Sequence, residues 1–329
     1  MGILKYKNLL ITIVLFMAII LVRFNGNQVI VKQQPYDSKY FKAYVEYFRG
    51  QIPTEAIRPA TNWRFLIPLL ASQLPFSEMT SINVLNALFL SLSLILFFKI
   101  QINLNVHNKK IWASVWLFIV SFPTFYYSTI GYVDASLFLF LAISIYATLN
   151  NNAWLFTLAI LVGLCIKETM VIAAPFYLVY HFKTNRKNAI LNALVTAILS
   201  VILLLIIKQY APVTDLATKN NFWQFGISNA IINFYRFNTW VSFIASFGAI
   251  GLAILLNRKP IFRNIINNNL TLACLACFSV GLVLFALSYF STIADGRIIW
   301  LTYFYMLLPL CATNFINAKN NKIDNLNSK

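Results

Sequence analysis

The chain has 329 residues, of which 60% are hydrophobic and 11% are charged, and its formal net charge is +17. Soluble domains carry roughly 25% charged residues, so the composition excludes an ordinary soluble domain and predicts one polytopic membrane domain over residues 1–329. In a soluble protein, such a positive charge would suggest nucleic acid. Here the basic residues cluster in short loops between apolar runs, as membrane topology requires, and no nucleic-acid partner is expected.

Apolar runs recur along the whole chain and predict an all-α integral membrane fold of about ten transmembrane helices. The first run follows Lys5 and Lys7 like a signal sequence, but Arg23-Phe24-Asn25 offers no small-residue cleavage site. We therefore interpret this run as a retained anchor. The predicted spans are 8–24, 80–98, 111–130, 134–149, 153–166, 169–182, 189–207, 239–256, 268–290 and 298–316.

The distribution of charge predicts which side of the membrane each loop faces. Alternation of ten spans puts both termini, with the tail 317–329, on the side whose short loops carry most lysines and arginines. Basic short loops mark the cytoplasmic side. The same alternation places eight of the nine carboxylates on the outer side. An ionisable group in or near the bilayer is costly and is a functional candidate by default.

The first outer loop, residues 25–79, holds the longest polar interval of the chain. Tyrosines recur there at helical spacing, at Tyr36, Tyr40, Tyr44 and Tyr47. Asp37 suits a helix start and Gly50 a helix stop, so the loop predicts an amphipathic helix along the outer leaflet. Residues 64–76 are apolar but short and contain two prolines, which predicts an interfacial or re-entrant helix. Residues 208–238 form the second long outer loop, whose aromatic residues suit a membrane interface.

Asp37 is the candidate catalytic residue, because a carboxylate at the start of this loop can act as general base on an acceptor hydroxyl. The alternative is a helix N-cap, and the two roles are compatible. Both histidines, His107 and His181, fall in or beside cytoplasmic loops, and no cysteine or serine–histidine pair is available outside. A base on the outer face is therefore expected to be a carboxylate.

Four basic residues on the outer side are candidates for binding a phosphate, since arginine offers a planar fork and lysine a point charge to phosphate oxygens: Arg58, Arg64, Lys167 and Arg297. The alternatives are contacts with lipid headgroups, a local ion pair at the Asp295-Gly296-Arg297 turn, and a hairpin tip at Lys167-Glu168. The candidate substrate-binding residues are Tyr36, Tyr40, Asp134, Glu168 and Asp295. Asp134 can bind a sugar hydroxyl or cap the following span, and the loop aromatics can stack on sugars or anchor the membrane interface.

Five short motifs occur in order between about residues 35 and 310: Y-D-x-x-Y-F, R-P-A-x-x-W-R-F-L-I-P-L-L-A, G-Y-x-D-A, K-E-T-x-x-x-x-x-P and D-G-R. Together they resemble bacterial membrane glycosyltransferases of the GT-C class, which take sugars from polyprenyl-phosphate carriers. The resemblance implies a GT-C-like fold in the bacterial inner membrane. It also implies an inverting enzyme that acts at the periplasmic face in cell-envelope glycan assembly or modification.

The partners implied by the resemblance are a polyprenyl-phosphate-linked sugar donor, a glycan or lipid-linked acceptor, and membrane lipids. The family's catalytic acid maps onto Asp37, and its donor-phosphate contacts map onto Arg58, Arg64, Lys167 or Arg297. The first loop has one Asp where better-known members have an Asp-x-Asp or Glu-x-Asp pair, so no cofactor or metal site is expected, with a divalent metal left open. Two alternatives remain: an O-antigen-type polysaccharide polymerase, and a non-enzymatic transporter of lipid-linked sugars.

Overall fold

The computed structural model describes residues 7–20, 36–54, 57, 64–210, 226–258, 268–291 and 296–312. These residues form helices and connecting turns and contain no strand, which confirms the all-α prediction for this part of the chain. The helices are α1 (Lys7–Ile20), α2 (Tyr36–Phe48), α3 (Leu66–Ser72), α4 (Glu78–Asn103), α5 (Asn108–Ile119), α6 (Phe122–Tyr127), α7 (Asp134–Leu149), α8 (Ala153–Ile166), the 3₁₀ helix Glu168–Ala173, α9 (Ala174–His181), α10 (Arg186–Tyr210), α11 (Ile227–Tyr235), α12 (Phe237–Leu256), α13 (Asn269–Ser288), α14 (Arg297–Trp300) and α15 (Tyr303–Ala312).

Four of the described helices, α4, α10, α12 and α13, are long and apolar enough to cross a membrane. Helices α1, α7 and α8 are apolar but shorter. A helix rises about 1.5 Å per residue, so a crossing of the hydrocarbon core takes about 20 residues. In the described part of the chain every predicted span contains helical residues, but the count of ten crossings stays a prediction.

The first loop forms the helix predicted for it, although its aromatic face packs on protein. Phe41, Tyr44 and Val45 of α2 are buried, and α2 packs against α3 and α4. Helix α2 ends at Phe48, and the chain turns at Gly50, whose φ of +69° lies in the left-handed region that favours glycine. Helix α3 has seven residues, about 10 Å, which is too short to cross a bilayer.

Three of the predicted spans are divided into separate helices, and a fourth, 239–256, contains the non-helical residue Gly248 within α12. Residues 111–130 form α5 and α6, residues 169–182 form the 3₁₀ helix and α9, and residues 298–316 contain α14 and α15. Interrupted backbone is tolerated at membrane depth only where protein or a polar cavity satisfies it. Here Trp300, the last residue of α14, donates a buried hydrogen bond from Nε1 to Thr124 Oγ1 of α6 at 2.8 Å, so the break after α14 lies inside the protein.

The core is a cluster of stacked and edge-on aromatic rings where these helices meet. Phe304 of α15 stacks on Phe97 of α4 with ring centroids 4.3 Å apart and on Phe118 of α5 at 5.1 Å. Phe138 of α7 contacts Phe118 at 5.0 Å and Trp300 at 4.8 Å. Such ring pairs add about 0.5–1.5 kcal/mol beyond area burial, so they stabilise the contact between α4, α5, α7 and α15.

The long helices differ sharply in how much protein surrounds them. In the most apolar part of α4, 67% of the residues are buried, but in that of α10 only 11% are. The contact of α10 with α8 includes a small polar group, in which Thr157 Oγ1 lies 2.8 Å from Thr196 Oγ1 and 3.2 Å from Asn192 Oδ1. The exposed leucines and isoleucines of α10 are the surface that a lipid environment would cover.

Candidate functional site

A buried ion pair lies where α7 begins and α8 ends. The Lys167 ammonium donates a hydrogen bond to Asp134 Oδ1, and the exposed fractions of the two side chains are 6% and 1%. Burial of two charges requires mutual pairing, because each ion alone would lose its hydration without compensation. The pair shows that the start of α7 and the end of α8 lie at the same end of the helix bundle.

The conformation of Lys167 separates two neighbouring charges. Helix α8 ends because Lys167 adopts an extended backbone with φ −163° and ψ 140°, and the 3₁₀ helix begins at Glu168. Successive side chains point to opposite sides of an extended chain. Lys167 accordingly contacts Asp134, whereas Glu168 contacts Arg64.

Arg64 and Glu168 form a two-pronged ion pair. Arg64 Nε donates to Glu168 Oε2 at 2.9 Å, and Arg64 Nη2 donates to Glu168 Oε1. The exposed fraction is 11% for the Arg64 side chain and 45% for that of Glu168. The pair joins the residue just before α3 to the turn after α8, so the first loop is fixed to the cluster.

Arg297, the first residue of α14, adds a third cation. Its Nη1 lies 3.9 Å from Asp134 Oδ2, and its guanidinium lies 4.3 Å from the centre of the Tyr132 ring. A guanidinium over an aromatic face is attracted by the ring quadrupole. We refer to Arg64, Asp134, Lys167, Glu168 and Arg297 as the Asp134 cluster.

Gly296 sets the position of Arg297 through a close approach to α12. Its amide donates to Ser242 Oγ at 2.9 Å, and a Cβ at this position would lie 2.4 Å from the Ser242 carbonyl oxygen. No larger residue fits without movement of α14 or α12. Ser242 Oγ also lies 3.1 Å from the Tyr127 hydroxyl, which ties the turn to α6.

The turn before Asp134 lies against both α4 and α2. Gly131 has φ +78°, and a Cβ there would lie 3.3 Å from Ser38 Cβ and closer still to the Met79 side chain. Asn86 of α4 donates to the Tyr132 carbonyl and accepts from Ser136 Oγ at 2.7 Å. The start of α2, where Asp37 lies, is therefore beside the turn that carries Asp134.

The surroundings within the Asp134 cluster shift the pKa values of Lys167 and Glu168. Burial lowers the pKa of the Lys167 ammonium, and the Asp134 carboxylate opposes this effect. Its protein surroundings would raise the pKa of the half-exposed Glu168 carboxyl, but the Arg64 guanidinium holds that pKa below its usual range. Both effects follow from the balance between desolvation and opposite charge.

The structure brings together five of the residues predicted for the site and leaves five others apart or undescribed. Arg64, Asp134, Lys167, Glu168 and Arg297 meet in the cluster. Tyr40 is half-buried in α2. Tyr36 and Asp37 lie in the first turn of α2, but their side chains are outside the described part, and Arg58 and Asp295 lie outside the described residues altogether.

The surroundings of Asp134 differ from those expected for a residue that binds a sugar hydroxyl. Its carboxylate is buried and faces Lys167 and Arg297, because α7 starts inside the protein. Sequence reasoning missed Tyr132 and Asn86, which position Arg297 and the turn. An asparagine in the middle of the apolar α4 was the available signal, since polar groups in a span are seldom accidental.

The described residues contain no group of three or more His, Cys, Asp or Glu side chains that could hold a metal ion. Cys274, Cys277 and Cys311 are buried and Cys165 is partly buried, and all four lie in apolar helices. Comparisons with protein-family models, with curated proteins and with solved structures found no match. The function is therefore inferred from the residues of the Asp134 cluster and their positions.

Proposed function

We propose that this chain is a membrane glycosyltransferase that moves a sugar from a polyprenyl-phosphate donor to an acceptor hydroxyl at the periplasmic face. The observation that carries the proposal is the Asp134 cluster. Side chains from three different helix ends and from the first loop converge there beside the start of α2. Charged residues of apolar helical segments are rare and mark substrate paths.

The three cations suit the phosphate of a lipid carrier. The isoprenoid chain of the donor stays in the bilayer, so its phosphate has to be met at the ends of apolar helices. Lys167 and Arg297 lie at such ends, and Arg64 precedes α3. As the bond to the sugar breaks, the departing phosphate gains negative charge, and cations placed in advance stabilise that charge in the transition state.

In the proposed reaction, the acceptor oxygen attacks the anomeric carbon of the sugar and its proton passes to the Asp37 carboxylate. The bond between that carbon and the phosphate oxygen breaks, and its electron pair leaves with the polyprenyl phosphate. Attack from the face opposite the leaving group inverts the configuration at the anomeric carbon. The proposal is supported by the closeness of Ser38, which follows Asp37, to the turn that carries Asp134.

The test is a transfer assay with purified protein in lipid vesicles and a panel of polyprenyl-phosphate sugars with candidate acceptors. Asp37→Asn is expected to lower transfer at least about a hundredfold, within the range for loss of a general base, while donor binding is kept. Glu46→Gln is the matched control, because it removes another α2 carboxylate, one that pairs with Lys42 on the same helix. Full transfer by Asp37→Asn would contradict the assigned base.

The same assay separates the proposal from its two alternatives. A polysaccharide polymerase would depend on the arginines and keep its activity in Asp37→Asn. A transporter would move a lipid-linked sugar across sealed vesicles without forming any new glycosidic bond. Either result would replace the transferase assignment while leaving the geometry of the Asp134 cluster unchanged.

A further inference from the structure

The two tight ion pairs of the Asp134 cluster differ in how easily their carboxylates can leave. Asp134 is 1% exposed and Glu168 is 45% exposed at the side chain. Separation of Asp134 from Lys167 would leave the buried ammonium without its partner and the buried carboxylate with only the more distant Arg297, which is strongly unfavourable. Glu168 can turn into water and regain hydration, so only its pairing is readily reversible.

The geometry of the Glu168 carboxylate on Arg64 is the geometry that a phosphate would adopt. Two adjacent donors of the guanidinium, Nε and Nη2, hold the two carboxylate oxygens. Arginine binds carboxylate and phosphate through the same planar fork. A phosphate that binds Arg64 in this way would take the place that Glu168 occupies.

Arg64 belongs to the same electrostatic unit as the buried pair. The charge of Arg64 contributes to the electrostatic potential at both Asp134 and Lys167. An anion bound to Arg64 would therefore also be attracted by the ammonium of Lys167. Glu168 is the neighbour of Lys167 in the chain, and its displacement needs no movement of the buried pair. The exchange is therefore local to one exposed side chain.

We propose that Glu168 is a displaceable counter-ion that competes with the phosphate of the lipid carrier for the guanidinium of Arg64. This inference rests on the proposed function in one respect, which is that the competing anion is a polyprenyl phosphate. Glu168 then sets the affinity for the lipid phosphate and the rate of its release. It does not take part in bond formation and is a positioning residue.

The test measures binding of sugar-free polyprenyl phosphate to the full-length protein in lipid nanodiscs. Glu168→Gln removes the competing charge and keeps the side-chain volume, and it is expected to tighten binding roughly threefold to tenfold, which corresponds to loss of a partly exposed ion pair. Glu46→Gln makes the same charge change on α2 and is expected to leave binding unchanged. Glu168→Asp keeps the charge and is expected to fall between wild type and Glu168→Gln.

Unchanged or weaker binding by Glu168→Gln, in protein with wild-type thermal stability, would overturn the inference. So would equal tightening by Glu46→Gln, because the effect would then be general electrostatics. The transfer assay is run in parallel on the same variants. Tighter lipid-phosphate binding without sugar transfer would uphold the counter-ion role and refute the transferase, whereas transfer with unaltered binding would do the reverse.

Discussion

Arg49 and Arg64 both belong to the first loop, and both are largely buried. Each binds a glutamate, but the other groups around them differ. Arg49 Nη2 donates to the carbonyls of Leu74 at 2.9 Å and Phe76 at 2.7 Å, and Nη1 binds Glu78 at 2.8 Å. We call this group the Arg49 clamp. Arg64 instead holds the half-exposed carboxylate of Glu168.

Because of this difference, only one of the two arginines is suited to bind a ligand. The carbonyls of the Arg49 clamp follow α3 and belong to the fixed backbone, so they cannot make room for an incoming anion. The clamp satisfies carbonyls at the end of α3 and joins α2, α3 and α4. Arg64 holds a side chain that can leave. The clamp is thus expected to act on stability, and the Asp134 cluster on ligand binding and reaction rate.

The largest effect is expected from Lys167→Met. Loss of a cation that we propose to stabilise the departing phosphate should lower transfer about 10²–10³-fold. It should also destabilise the protein by at most about 3–5 kcal/mol, because buried Asp134 loses its nearest counter-ion and keeps only Arg297, at 3.9 Å. The measurements are transfer rate in vesicles and thermal unfolding in detergent.

The matched control for Lys167→Met is the double variant Lys167→Met/Asp134→Leu. Replacement of both ions by apolar groups should restore most of the stability, while transfer stays low. Recovery of transfer in the double variant would show that the pair is merely structural, and the contrast with the Arg49 clamp would disappear.

The next largest effect is expected from Arg49→Met, and it should be confined to stability. Loss of the charged hydrogen bonds should destabilise the protein by about 2–3 kcal/mol, seen as a lower unfolding temperature. The affinity for polyprenyl phosphate should stay within twofold of wild type. Arg49→Lys keeps the charge without the fork and should recover only part of the stability. A large loss of affinity in stable Arg49→Met protein would place this arginine at the binding site.

A smaller effect is expected from Gly296→Ala. The added Cβ would meet the Ser242 carbonyl oxygen at 2.4 Å and shift α14, so stability should fall by about 1–2 kcal/mol. Because Arg297 moves with α14, the donor KM should rise. Gly226→Ala is the control, since its Cβ would meet only Ser228 Oγ at 3.3 Å among the atoms within 4 Å. An unchanged donor KM in Gly296→Ala would speak against a role of Arg297 in binding.

The smallest effect is expected from Lys42→Gln, which removes an exposed charge of α2. Lys42 pairs with Glu46 at 3.5 Å, and its side chain is 39% exposed. Exposed pairs contribute about 0–1 kcal/mol, so the unfolding temperature and the transfer rate should both stay near wild type. A clear loss of transfer would extend the functional surface to the outer face of α2.

Much of the fold follows from hydrophobic patterning, since the apolar runs became helices and Gly50 ended α2 as expected. The interruptions within 111–130 and 298–316 did not follow, because apolar residues occupy both sides of each break. Tertiary contacts hold the ends of the interrupted helices, as in the hydrogen bond between Trp300 and Thr124. The hydrophobic pattern along the chain does not indicate which residue will be such a partner.

Five of the ten predicted site residues meet in the Asp134 cluster, but their pairing could not be predicted, and their roles stay a prediction. Charge in an apolar chain is conspicuous, so Asp134, Lys167 and Arg297 could be selected from sequence. Which carboxylate meets which cation depends on the extended backbone of Lys167 and on the approach of Gly296 to α12. Neither feature has a sequence signature beyond the presence of a glycine, and Tyr132 was missed for the same reason.

Whether the Asp134 cluster receives the lipid phosphate is tested by measuring the binding of polyprenyl phosphate to the wild type and to Lys167→Met/Asp134→Leu, because this variant keeps the net charge and leaves neither ion of the buried pair without its partner. If the Asp134 cluster receives the lipid phosphate, the double variant should bind at least about tenfold more weakly, as expected for loss of a charged contact. Equal affinity in the two folded proteins would contradict the account.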